Sequence, residues 1–207
     1  MISHFHFIKS NDTGTFKIQK NIHNLFDILL KSFMFDDNPL ERNFISILSL
    51  VDIIKDKNFS IISANKMLSD LYLQIDFLHS SGYSISYFQP NDITIFDNNI
   101  FRFTNFEKLY PIDKSNQTIY ITDTYDLTSS FLSPEMKINS SIPSSIHYSC
   151  CYYSIALIVL FSLKNCNSLF NNLSNLQIMN YYKHTKLYLT LLYCMEKDPS
   201  QRLFLIF

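Results

Sequence analysis

The sequence predicts an α+β fold in a single domain, residues 1–207. Three observations carry this. Asn24–Met34 and Ser63–Ser80 repeat apolar residues at helical spacing. Short β-branched and aromatic runs flank turn residues around Asn11-Asp12-Thr13-Gly14 and at Asp97-Asn98-Asn99. With 47% hydrophobic and 15% aromatic residues, a chain of 207 can bury one core.

The first expected elements are strands around Phe5-His6-Phe7-Ile8 and Thr15-Phe16-Lys17-Ile18. Leu25, Ile28, Leu29 and Phe33 then share one face of a helix. Asp36-Asp37-Asn38-Pro39 is loop chemistry, and Asn43–Leu50 suits a strand. A short helix is expected over Ser49–Lys55, and a long one over Ser63–Ser80 with Ser63 as N-cap. Leu68, Leu71, Ile75 and Leu78 form its apolar stripe, and Gly82 suits the positive φ of a helix stop.

Ile93–Phe96 and Ile100–Phe103 read as a hairpin across Asp97-Asn98-Asn99. Lys108–Ser130 reads as a long polar segment. Tyr152–Leu163 is the most apolar run, too short to span a bilayer, and reads as a buried central helix. Leu187–Met195 is a last helix before the turn at Asp198-Pro199.

Composition excludes some classes. A net charge of −1 offers no electrostatic case for nucleic acid or an anionic membrane. Cys150, Cys151, Cys166 and Cys194 lack metal-ligand spacing, and two are adjacent. They suit a reducing interior, so an intracellular location, cytoplasm or nucleus, is expected. Met1-Ile2-Ser3-His4-Phe5-His6-Phe7 has no basic start before an apolar core, so no signal peptide is expected. The wealth of Asn, Ile, Phe, Tyr and Ser, beside two Gly and no Trp, is a compositional bias.

The stretch Phe77–Glu107 resembles the catalytic core of the eukaryotic-type protein kinase superfamily, which reads leucine-histidine-x-x-glycine, H-R-D-L-K-P-x-N, a hairpin, then D-F-G. Leu78, His79, Gly82, Pro90, Ile93 and Phe106 keep that frame. The catalytic positions differ. Tyr87 stands for the proton-accepting Asp, Gln89 for the Lys, Asp92 for the metal-binding Asn, and Asn105-Phe106-Glu107 for D-F-G. The interval from Tyr87 to Asn105 matches the family's usual one. Ser86 stands for the Arg that receives a phosphorylated activation loop in many kinases. Phe131-Leu132-Ser133-Pro134-Glu135 and Asp198-Pro199-Ser200-Gln201-Arg202 are similar to two later motifs whose Glu and Arg pair in the family. Glu135 and Arg202 are the structural residues so implied. Tyr153-Ser154-Ile155-Ala156 resembles the family's Trp-Ser-x-Gly, but Cys151 stands where an Asp braces the catalytic loop.

The resemblance implies a kinase-like fold with a reduced β-rich first lobe, residues 1–48, and a mainly α-helical second lobe, residues 49–207. The first lobe lacks the glycine-rich loop, since Gly14 is the only glycine before Gly82. Gln19 aligns with the phosphate-pairing Lys, with Lys17 and Lys20 as displaced nucleotide-binding candidates. An exposed strand carries a Lys equally well for solvation, so both readings stand. The expected helix over 24–34 contains no Glu to pair with it, only Asp27.

No intact catalytic set remains, and the resemblance implies a pseudokinase acting as scaffold or regulator. Its partner would be another protein, an active kinase or its substrate. The alternatives are a divergent active Ser/Thr kinase using ATP, and a remnant under little functional demand. No cofactor is expected. Asp92 and Asn105 together leave weak Mg²⁺ and ATP binding as an open reading, beside the reading of Asp92 as a solvated loop residue.

Overall fold

The computed structural model describes residues 6–9, 16–19, 25–33, 44–139 and 141–205, with backbone alone at 6–9, 16–19 and 26. The expectations for Gly14, Lys20 and Asp36–Pro39, and for the side chains of Lys17 and Gln19, lie outside this description. The element order is β1 (His6–Lys9), β2 (Phe16–Gln19), α1 (Phe26–Ser32), β3 (Ile47–Ser49), α2 (Leu50–Lys55), α3 (Ile61–Ser80), β4 (Tyr83–Ile85), β5 (Ile93–Phe96), β6 (Ile100–Phe103), β7 (Leu109–Asp113), β8 (Thr118–Ile121), α4 (Pro134–Ile138), β9 (Ser144–His147), α5 (Cys150–Cys166), α6 (Asn175–Tyr181) and α7 (Lys186–Cys194). The class is α+β, as expected. Among the described residues there are two small antiparallel sheets, ordered β3-β5-β6 and β4-β7-β8-β9, and a separate β1-β2 pair.

The β5–β6 hairpin falls where expected, with Ile93 opposite Phe103 and Phe96 opposite Ile100. Its turn residues Asp97 and Asn98 sit at φ 49° and 62°, the left-handed pair that matches strand twist and that Asp and Asn tolerate. Asp97 also accepts the Ile45 N–H at 2.7 Å, which ties the turn to the start of β3.

The other edge of the hairpin is closed by a helix. Asp70 Oδ2 accepts the Phe101 N–H at 3.1 Å. One turn on, Gln74 Oε1 accepts the Phe103 N–H at 2.7 Å and Gln74 Nε2 donates to the Phe103 carbonyl at 2.9 Å. Four helical residues rise ~6 Å, and two strand residues span ~6.8 Å. The side chains of α3 thus meet alternate residues of β6 and replace a neighbouring strand. Buried polar groups are tolerated there because each has its partner.

Helix α3 begins earlier than expected. Ser60, not Ser63, is its N-cap and accepts the Ser63 N–H at 3.2 Å. Leu68, Leu71, Ile75 and Leu78 are buried as expected. Gly82 ends the turn at φ 85°. Helix α2 starts on a reciprocal box between Ser49 and Asp52.

Residues 49–207 are richer in strand than expected. Lys108–Ser130 is not simply a polar segment, because it contains β7 and β8. Ile119 and Ile121 are buried while Tyr120 between them is exposed, the period-two signature of a half-buried strand. Helix α6 falls where no element was expected.

One apolar cluster runs from Leu29 to Phe204 and includes most of α5. Cys151, Ile155, Ala156, Ile158, Val159, Leu160 and Leu163 of that helix are all buried, as the apolar run predicts. A second cluster joins Tyr87, Ile119, Ile121, Leu132, Met136, Ile146 and Cys150. Among the described residues no helix is long and apolar enough to cross a membrane.

Candidate functional site

The loop between β4 and β5 carries the positions singled out in the sequence. Its backbone is held at several points. The Ser86 N–H donates to the Lys108 carbonyl at 3.0 Å. Phe88 is fully buried, with its ring 4.7 Å from that of Phe103. The Phe88 N–H donates to Ser154 Oγ at 2.7 Å, and that hydroxyl donates back to the Phe88 carbonyl at 3.2 Å. Among the described residues Cys151 has no hydrogen bond to this loop. Its Sγ lies 3.4 Å from the Tyr148 carbonyl. The brace comes instead from Ser154, one turn along α5.

Pro90–Asp92 forms a single 3-10 turn, which delivers Asp92 to the centre of the site. Asp92 is not a solvated loop residue, for it is 4% exposed. Its Oδ2 accepts from Lys108 Nζ at 2.5 Å and from the Gln89 N–H at 2.7 Å. Its Oδ1 accepts from Asn105 Nδ2 at 2.8 Å. Asp92 and Asn105 therefore come together, but as acceptor and donor. The Asn105 amide oxygen faces the Glu107 N–H at 3.3 Å. Protein donors satisfy both carboxylate oxygens, and the charge beside them is an ammonium. That donor set does not fit a divalent cation, which needs several oxygens turned toward it. Among the described residues no cluster of His, Cys, Asp and Glu is placed to hold a metal ion.

Tyr87 stands beside this carboxylate and is 8% exposed. Lys108 Nζ lies 4.2 Å from its ring centroid, so one ammonium serves both the carboxylate and the ring face. Burial raises the Tyr87 phenol pKa, and the nearby charges of Asp92 and Asp126 raise it further. Tyr87 thus stays protonated at neutral pH and is no general base.

Tyr87 also lines an open groove of about 690 Å³ together with Lys108, Tyr110, Asp123 and Tyr125. Phe106 turns the other way. It is fully buried, with its ring edge-on to Phe33 at 6.0 Å and to Phe103 at 5.4 Å, and so links α1 to the site. Asp27, the carboxylate of α1, is exposed in its first turn.

Glu135 and Arg202, the structural residues implied by the resemblance, also come together. Arg202 Nη1 donates to Glu135 Oε1 at 2.5 Å and Nη2 to Oε2 at 2.7 Å, a bidentate pair. Arg202 Nε donates to the Glu196 carbonyl at 2.8 Å, and the guanidinium carbon lies 5.1 Å from the Tyr153 ring centroid. The Arg202 side chain is fully buried.

No protein-family model and no curated protein matches this chain.

At the end of α3, His79 Nε2 lies 2.9 Å from Ser84 Oγ, and Ser84 Oγ donates to the Tyr148 carbonyl at 3.0 Å. Nε2 therefore carries the proton. Nδ1 is left as acceptor for the Tyr152 hydroxyl at 3.2 Å. Such a ring must be neutral, and burial lowers its pKa from 6.5 to about 4. His79 bonds locally, as its position at a helix end suggests, but it also reaches α5. Cys151, 3.9 Å from the same nitrogen, is pushed up to about 12 by burial and is inert as a nucleophile.

The contributions of Lys108 and Ser154 escape sequence reasoning. Lys108 follows Asn105 through one 3-10 turn, Phe106–Lys108, and only that turn brings its ammonium back to Asp92. Lys17 and Gln19 lie in β2 and their side chains are not described, so nothing places them at the site.

Proposed function

We propose that this chain is a catalytically inactive, protein kinase-like protein that acts by binding another protein, as scaffold or regulator. One observation carries the reading. The Lys108 ammonium lies 2.5 Å from Asp92, where a phosphotransferase of this resemblance would place a metal-binding group.

Phosphoryl transfer needs a carboxylate to orient the nucleophile and cations to neutralise the transferring group. Tyr87 offers a protonated phenol at the first position, and Gln89 an uncharged amide at the position of the Lys. Loss of one preorganised electrostatic group costs on the order of 10² to 10³ in rate. Losses at several positions leave no efficient route. The groups that hold the fold together remain: Gly82 at φ 85°, the buried Phe106 and the Glu135–Arg202 pair. A chain that keeps its framework without its chemistry presents surfaces, and binding is the function such surfaces serve.

The test is transfer of labelled phosphate from ATP with Mg²⁺ or Mn²⁺, to the chain itself and to a generic Ser/Thr substrate. The expected result is no transfer above a heat-inactivated control. Metal-dependent transfer that is lost in Asp92→Asn would overturn the reading.

A further inference from the structure

We propose that the groove beside Tyr87 is a docking site for an arginine-bearing segment of a partner protein. This rests on the binding role proposed above and names the chemistry of the partner. The groove holds about 690 Å³, enough for one or two side chains.

Its walls are aromatic. The rings of Tyr87 and Tyr125 lie with centroids 6.2 Å apart, and Tyr110 lines the same groove. Tyr110 and Tyr125 are half-buried. The hydroxyls of both are already committed. Tyr110 donates to Asp123 at 3.1 Å, and Tyr125 donates to the carbonyls of Met136 at 3.0 Å and Asn139 at 2.9 Å. What these residues offer a ligand is ring face, and ring faces attract cations.

The charge balance has the same sign. Among the described residues Lys108 is the only ammonium lining the groove, and Asp92 neutralises it. Asp123 lines the groove as well, and the charge of Asp126 reaches Tyr87. Asp123 and Asp126 are both exposed. An anion would meet these carboxylates. A cation would meet carboxylates and ring faces together.

Lys108 over Tyr87 is an example within the chain of the contact proposed for the partner. Arginine fits better than lysine, because a planar guanidinium stacks on a ring while its edge bonds a carboxylate.

Calorimetric titration of the full chain tests the site. The probe is a blocked glycine–serine peptide carrying two arginines, and the control replaces both with citrulline, a neutral isostere. The arginine peptide should bind about tenfold more tightly than the citrulline peptide, and the difference should shrink with added salt. Asp123→Asn with Asp126→Asn should remove the difference, whereas Asp113→Asn, at the end of β7 and outside the groove, should leave it. Equal binding of both peptides, or binding indifferent to the double variant, would overturn the site. Spermidine binding as tightly as the peptide, and lost in the same double variant, would overturn a protein segment as the occupant. The serine of the same peptide separates the two proposals. Phosphate transfer to it would overturn the inactive reading and leave an arginine-dependent site standing. A failure of arginine-dependent binding removes the site and leaves the inactive reading intact.

Discussion

Ser154 holds both backbone groups of Phe88 with one hydroxyl, as acceptor at 2.7 Å and donor at 3.2 Å. Phe88 and Ser154 are fully buried, so neither backbone group has water as an alternative. The bond fixes the loop that carries Tyr87 and Asp92 against the central helix α5.

Ser154→Ala should therefore destabilise the chain by about 1–3 kcal/mol, the cost of leaving buried backbone groups unsatisfied. Denaturant unfolding measures it. Cys151→Ala should cost less than Ser154→Ala, because Cys151 offers the loop no hydrogen bond. The reverse order would remove Ser154 as the brace.

Arg202 and Glu135 are expected to behave as a buried pair. Glu135→Ala leaves a buried guanidinium with the Glu196 carbonyl and the Tyr153 ring face but no counter-charge, and should cost about 3 kcal/mol. Replacing both by Met should recover a substantial part of that loss, since an apolar pair needs no desolvation. A double-variant cycle by thermal unfolding reads the coupling.

Tyr87 is buried for its ring. Among the described residues none hydrogen-bonds its hydroxyl, so Tyr87→Phe should change stability by less than about 0.5 kcal/mol. Tyr87→Ala should cost about 3 kcal/mol through the cavity left among Ile119, Ile121 and Leu132. Tyr87→Asp should restore no transfer and should destabilise, because it sets a second carboxylate beside Asp92.

His79 sets an acid limit. Above about pH 6.5 the ring is neutral in the folded and unfolded chains alike. As pH falls from 6.5 toward 4, the unfolded chain gains a proton that the folded chain does not, so stability is lost across that window and levels off below it. The loss amounts to at most about 3 kcal/mol. His79→Gln should flatten this slope in unfolding curves taken between pH 7.5 and 4.5. His147, whose pKa burial and the Arg202 charge also lower, leaves a residual slope of the same sign.

The parts of the fold legible in the sequence are those set by neighbours in the chain. The β5–β6 hairpin is read from its turn residues, and the α3 stripe from its spacing. The Glu135–Arg202 pair is read from two motifs that resemble a known order. The sheet of β4, β7, β8 and β9 is not legible, because Ile119 pairs with Ile146 across an intervening helix and its strands are polar on one face. Asp70 and Gln74 are not part of the apolar stripe that the spacing predicts for α3. They are buried, because their role is to complete a strand edge that spacing within one helix does not reveal. The site shows the same division. Tyr87 and Gln89 stand out in the sequence through the motif they resemble, whereas the capture of Asp92 by Lys108 depends on a 3-10 turn and a contact sixteen residues apart.

Protein donors occupy the Asp92 carboxylate, which leaves it no role in holding a metal–nucleotide complex. Thermal unfolding of the whole chain with millimolar ATP, with and without Mg²⁺, tests it most directly, because any ligand of the native state raises the midpoint by mass action. The account predicts no metal-dependent rise. A rise that needs Mg²⁺ and disappears in Asp92→Asn would contradict it.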